Sequence, residues 1–218
     1  MKIDLKEINN PNFVKDLSYK ELEILSSELR KEIVQSVSNN GGHLSSNLGV
    51  VEATVALCRS FDFDKDKLLF DVGHQSYTYK ILTGRSLEHL RQMDGISGFQ
   101  KISESRYDCF EAGHSSTSIS AASGMALARD LNHDDYNIVA FIGDGSIPNG
   151  LAFEGLNVSS QNNHKIIVVL NDNDMSISKP VGGLAKLFRH FSTSAIYRKS
   201  KRATRKVFNT SKFGRKLL

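Results

Sequence analysis

Two short stretches hold residues whose types and spacing could do chemistry, Gly143-Asp144-Gly145 and Asn171-Asp172-Asn173. Each closes a continuous apolar run, 137–143 and 165–171, of the kind a central parallel strand gives. In a strand–helix–strand unit both strands end on the same edge of the sheet, so the two turns are expected to meet in space. That would put the Asp144 carboxylate and the Asn173 amide oxygen on one side of a common point. Hard oxygen ligands of this type suit Mg²⁺, which usually completes its octahedron with phosphate oxygens and water. Gly143 and Gly145 would let a diphosphate approach the backbone, and a helix starting near Asn149 would offer it N–H groups. A lone Gly-Asp-Gly is an ordinary turn, and a lone Asn-Asp-Asn an ordinary loop or cap. On consecutive strands flanking one helix, the pair reads as a metal–diphosphate site.

Three of the seven histidines, His43, His74 and His114, follow glycine in turn-like contexts that suit a residue presented into a cleft. His89, His133, His164 and His190 read as surface or hydrogen-bonding residues. No pair has the spacing of a helical zinc motif, and there is no nucleophile elbow or phosphate-binding P-loop. Lys80 and Arg85 are expected to pack or pair on the surface.

The elements that must position these residues follow from pattern. Ser18 and Glu21 have capping-box spacing, and Leu22, Leu25, Leu29, Ile33 and Val37 recur at helical intervals, which predicts a helix over 18–38. A second helix is expected over 50–60, after the small-residue stretch 44–49. Residues 67–71 read as a short strand, 77–82 as a helix, 118–131 as a small-residue helix and 149–160 as the helix between the two apolar runs. The alternation predicts an α/β fold with a largely parallel sheet and flanking helices.

The chain has 218 residues, 39% hydrophobic and 24% charged, as in an ordinary globular protein. No apolar run approaches the roughly 20 residues that span a bilayer, and the first ten residues do not resemble a signal peptide. Two cysteines without metal-ligand spacing make no disulfide framework, so a reduced, cytoplasmic setting is expected. The formal charge of +4 hides an asymmetry, since residues 175–218 carry 12 Lys or Arg and no Asp or Glu. Contact with an anionic ligand, or simple solvation, is favoured over nucleic-acid or membrane binding, because no nucleic-acid motif accompanies the charge. A docked helix and a partly disordered segment both remain open for 186–218. Residues 1–185 are expected to form the diphosphate- and Mg²⁺-binding domain, with 186–218 a basic tail at its incomplete end.

Several longer blocks carry a resemblance. GGHLSSNLGVVEATVAL (41–57), DVGHQSYTYKILTGR (71–85), GISGF (95–99), GHSSTSISAASGMALA (113–128) and IIVVLNDNDMSIS (166–178) resemble, in order and interval, the 1-deoxy-D-xylulose-5-phosphate synthase family. These are transketolase-like thiamine-diphosphate enzymes, and the match covers their N-terminal, diphosphate-binding part. The resemblance implies that Asp144, Asn173 and the Met175 carbonyl hold Mg²⁺. It places Gly113, His114, Ser115, Gly145, Ser146 and Asn173 against thiamine diphosphate, has His74 reach the cofactor or substrate near the reacting carbon, and puts His43 where protons move.

It further implies a transferase that joins pyruvate and glyceraldehyde 3-phosphate to give 1-deoxy-D-xylulose 5-phosphate and CO₂, for isoprenoid and thiamine precursors. The glutamate that activates the cofactor lies, in that family, on a pyrimidine-binding domain beyond this sequence. A homodimer, or a complementing chain carrying that domain, is therefore the expected partner. A non-catalytic thiamine-diphosphate- or Mg²⁺-binding remnant is the alternative. Ser146-Ile147-Pro148-Asn149 departs from the family's Ala-Leu/Ile-Thr followed by a small residue, with Pro148 acceptable near a helix start.

Overall fold

The computed structural model describes residues 3–161, 163–172 and 183. Gly183 apart, these belong to one compact unit. Asn173, Met175, His190, the limit expected at residue 185 and the basic segment 186–218 lie outside the described residues.

Helix α1 (Tyr19–Asn40) begins at the predicted capping box. The Ser18 N–H donates to the Glu21 carboxylate at 2.8 Å, and the Glu21 N–H donates to Ser18 Oγ at 3.4 Å. Leu25, Leu29 and Ile33, four residues apart, form its buried stripe. Residues 44–48, read from sequence only as a small-residue stretch, form the short helix α2 (Leu44–Leu48). Helix α3 (Val51–Ser60), strand β1 (Lys67–Phe70), helix α4 (Tyr77–Leu82) and helix α5 (Ser118–Leu131) follow. Strand β2 (Ile138–Gly143), helix α6 (Gly150–Gln161) and strand β3 (Ile167–Asn171) complete the described elements. Short 3-10 helices at Leu5–Glu7, Pro11–Asp16 and Ile102–Glu104 carry no clear periodic signal.

The strands are parallel in the order β1-β2-β3, with Leu69 opposite Ala140 and Gly143 opposite Asn171. Their period-two alternation divides the core between two faces. Leu68, Phe70, Val139 and Phe141 pack with α1, α3 and α4. Leu69, Ile138, Ala140 and Ile142 pack with Ile119, Ala122 and Ala126 of α5 and Ala152 of α6. Where α6 crosses α5, a Cβ on Gly155 would lie 2.8 Å from Ser120 Oγ, so a larger residue there would force Ser120 to shift.

Two expectations are corrected. The run ending at Asn171 reads as a buried strand, but β3 pairs only with β2 among the described residues, and Leu170 is 44% exposed. Lys80 and Arg85 do pair, but in the interior. The Lys80 side chain is 0% exposed and meets Glu104, while Arg85 meets Asp108 and lies 3.5 Å from Glu104. The same carboxylates receive the backbone N–H groups of Ser97 (2.6 Å) and Lys101 (3.1 Å), which pins residues 97–108 against α4.

Removing one partner of a buried ion pair strands the other charge. Glu104→Ala is expected to lower unfolding stability by about 3–5 kcal/mol. The double variant Lys80→Met/Glu104→Leu is expected to recover most of it, read from urea unfolding of the 218-residue chain.

Candidate functional site

The strand ends converge as parallel topology requires. The Asp144 N–H donates to the Asn171 carbonyl at 2.9 Å, joining the Gly-Asp-Gly turn to the start of Asn-Asp-Asn. A Cβ built on Gly143, Gly145 or Gly113 would meet nothing within 4 Å among the described residues, so the backbone at all three is open to them. Asn173 and Met175 lie outside the described residues.

The turn after β2 is anchored. The Ser146 and Ile147 N–H groups donate to the Gly143 carbonyl at 3.0 and 3.3 Å, and Ile147 is buried on the α5/α6 face. Ser116 Oγ donates to the Ser146 carbonyl at 2.8 Å and accepts from Asn149 Nδ2 at 2.9 Å. The tetrapeptide 146–149, which departs from the family wording, is thus tied to the Gly113 loop through one hydroxyl.

That loop is held by Asp71, which is 1% exposed at the end of β1. Its Oδ1 accepts the Ser116 N–H at 2.7 Å, and its Oδ2 accepts the Ser118 N–H at 3.2 Å and hydroxyl at 2.8 Å. The adjoining backbone is strained. Val72, a β-branched residue, sits at φ +65°, and its carbonyl accepts the Gly113 N–H at 3.1 Å. At Gly73, φ +91°, a Cβ would lie 2.9 Å from the Gln100 nitrogen. The Gln100 side chain serves as a substitute strand for β1: Oε1 accepts the Phe70 N–H at 3.1 Å, and Nε2 donates to the Leu68 carbonyl at 2.9 Å.

His43 and His74 meet edge to face with ring centroids 5.2 Å apart, and Phe99 lies 5.3 Å from His43. Asn47, wholly buried, joins their backbones. Its Nδ2 donates to the carbonyls of His43 (2.6 Å) and His74 (2.8 Å), and its Oδ1 accepts the Tyr77 N–H at 2.9 Å. His74 Nδ1 is buried without a hydrogen-bond partner among the described residues. A buried ring nitrogen without a partner calls for one, and a polar bound group would supply it. Burial holds the His43 ring below its ordinary pKa, with the Arg91 charge adding to the effect. Burial, then His43, bring His74 down to about 4, against the pull of Asp71. Both shifts favour the neutral form of the ring at pH 7.

His114 and Ser115 stand exposed on the Gly113 loop, and no ring contact joins His114 to the histidine pair. His89 meets Gln92 at 3.2 Å and His164 pairs with Asp130 at 2.6 Å, as expected of surface or hydrogen-bonding residues. Asp71, Asn47, Tyr77 and Gln100 were not singled out from sequence. Asp71 stands between two apolar residues, and Asn47, Tyr77 and Gln100 lack even that signal; none of the four names its partner in sequence.

His74 takes up its proton only near pH 4, whereas the unfolded chain takes it up near 6.5. The unfolded state thus binds more protons between these values, so the stability from neutral His74 is whole above about 6.5 and is lost as pH falls towards 4. The urea midpoint is expected to fall less steeply over this window in His74→Gln than in the parent chain. Parallel falls would mean that His74 is not held neutral.

A family model described as 1-deoxy-D-xylulose-5-phosphate synthase matches residues 5–218. The 1-deoxy-D-xylulose-5-phosphate synthase of Clostridium beijerinckii is 50% identical over 215 residues, covering 98% of this chain and 35% of its own length. That of Clostridium tetani is 54% identical over 191 residues, 87% of this chain and 31% of its own. Among solved structures, transketolase from Leishmania mexicana has a TM-score of 0.63 at 19% identity, over 72% of this chain and 28% of that one. Transketolase from Campylobacter jejuni has a TM-score of 0.61 at 21% identity, over 74% and 29%. At such identities the transketolases show the fold alone. The chain spans about a third of the length of the curated relatives it matches. With half of its residues identical over nearly all of its length, the chain belongs to the 1-deoxy-D-xylulose-5-phosphate synthase family.

Proposed function

We propose that the chain is the diphosphate- and metal-holding half of an enzyme that makes 1-deoxy-D-xylulose 5-phosphate and CO₂ from pyruvate and glyceraldehyde 3-phosphate. The observation that carries this reading is the junction of the Gly143–Asn171 register with the open backbone at Gly143, Gly145 and Gly113. Thiamine diphosphate, when bound, supplies the carbon nucleophile that carries the two-carbon unit. Asp144, Asn173 and the Met175 carbonyl hold Mg²⁺ at the diphosphate. Gly145 and Ser146 lie beside its oxygens, with the start of α6 adding N–H groups. Gly113, His114 and Ser115 line the cofactor on the side of the Asp71-anchored loop. His74 faces the reacting centre as a neutral ring, and His43 exchanges protons there.

The residue that activates the cofactor belongs, by family resemblance, to a pyrimidine-binding domain. The working enzyme is therefore a dimer or a complex in which that domain completes the cleft. Among the described residues no helix is long and apolar enough to cross a membrane.

Two measurements test this. In calorimetry the chain alone is expected to bind thiamine diphosphate weakly and only with Mg²⁺, and Asp144→Ala is expected to abolish the Mg²⁺-dependent part. Unchanged binding in that variant would remove Asp144 from the metal site. In a product assay the chain alone is expected to be inactive, and addition of a polypeptide carrying the pyrimidine-binding domain to restore synthesis. Product from the chain alone would contradict the need for a partner. Cofactor binding without product in the presence of that polypeptide would favour a non-catalytic remnant.

A further inference from the structure

We propose that Tyr77 is a positioning residue that fixes His43 as the tautomer protonated at Nε2, by donating its phenolic proton to Nδ1. The argument is one of hydrogen-bond capacity. Tyr77 Oη lies 3.3 Å from His43 Nδ1 and accepts the backbone N–H of the same residue, also at 3.3 Å. A phenol has a single proton to give, and no other acceptor for it occurs among the described residues. If Nδ1 carried the ring proton, two N–H groups would converge on one oxygen and the phenolic proton would be stranded in a buried place. Donation from Oη to Nδ1 satisfies all three groups.

The surroundings are built to hold the phenol there. A Cβ on Gly42, at φ +149°, would lie 2.9 Å from Tyr77 Oη, and one on Gly98 would lie 3.4 Å from it, so two glycines leave the room it occupies. Donor and acceptor are also registered through their backbones. Asn47 Oδ1 accepts the Tyr77 N–H while Asn47 Nδ2 binds the His43 carbonyl. The two rings are tilted at 56° with centroids 6.5 Å apart. Burial pushes the Tyr77 phenol above its ordinary pKa, which keeps the proton on oxygen.

In this tautomer His43 turns an N–H, not a lone pair, away from the phenol, and is ready to donate from Nε2. Use of that proton in synthesis rests on the proposed function; the tautomer itself does not.

The test is long-range ¹H–¹⁵N correlation of the histidine rings in the whole 218-residue chain at neutral pH, with His43 assigned by its loss in His43→Gln. The expected spectrum shows Nε2 protonated and Nδ1 bare, beyond the preference of free histidine in water. Tyr77→Phe, which keeps the ring and removes the donor, is expected to return His43 to the free-histidine ratio. Gly42→Ala, which keeps the donor and displaces it, is expected to do the same. A parent chain with Nδ1 protonated, or with the free-histidine ratio, would overturn the proposal, whatever the variants do. So would an unchanged ratio in a folded Tyr77→Phe. A chain that shows the bias yet binds no thiamine diphosphate would support this inference while sinking the proposed function.

Discussion

A single buried carboxylate carries the edge of the sheet on which the site stands. Parallel strands deliver their ends to one side, and the turns there need hydrogen-bond partners that no strand provides. Asp71 supplies them for the start of α5, accepting two backbone N–H groups and one hydroxyl. Ser116 extends the same network to the turn after β2. The Gly113 loop and the Gly-Asp-Gly turn are thereby set relative to each other by three side chains, Asp71, Ser116 and Asn149. None of them has to touch a cofactor to decide where one fits.

The histidine corner is set by a second and separate chain of causes. The interior ion pairs of Lys80 and Arg85 hold the segment that carries Phe99 and Gln100. Phe99 then backs His43, and Gln100 closes the free side of β1 while crowding Gly73, beside His74. Asn47 locks the two histidine backbones together from the other side. Charges remote from the histidine pair thus position it through packing.

Much of this was legible in the sequence where cause and effect are close along the chain. The Ser18–Glu21 cap and the Leu25, Leu29, Ile33 stripe act within a few residues, and α1 begins where they place it. The meeting of Gly143 with Asn171 was legible for a different reason, since parallel connection dictates it once two strands and a helix are recognised. The exposure of Leu170 on β3 was not legible, because an apolar run reports composition and not how a strand is covered. The interior setting of Lys80 was hidden because Glu104 lies 24 residues away. Asn47 and Tyr77 were hidden in the same way, joined across 30 residues by a bond that no periodicity announces.

Val72 has a consequence for anyone who would make the chain sturdier. A β-branched residue at positive φ is held there against its own preference, at a cost on the order of 1–3 kcal/mol. Glycine would relieve that cost, and selection for shelf life alone would favour it. Yet the awkward backbone is what turns the Val72 carbonyl towards Gly113, and a glycine is free to turn elsewhere. Robustness gained at this position would be drawn from the aim of the loop, so an engineer should look for stability on the outer helices and leave this turn uncomfortable.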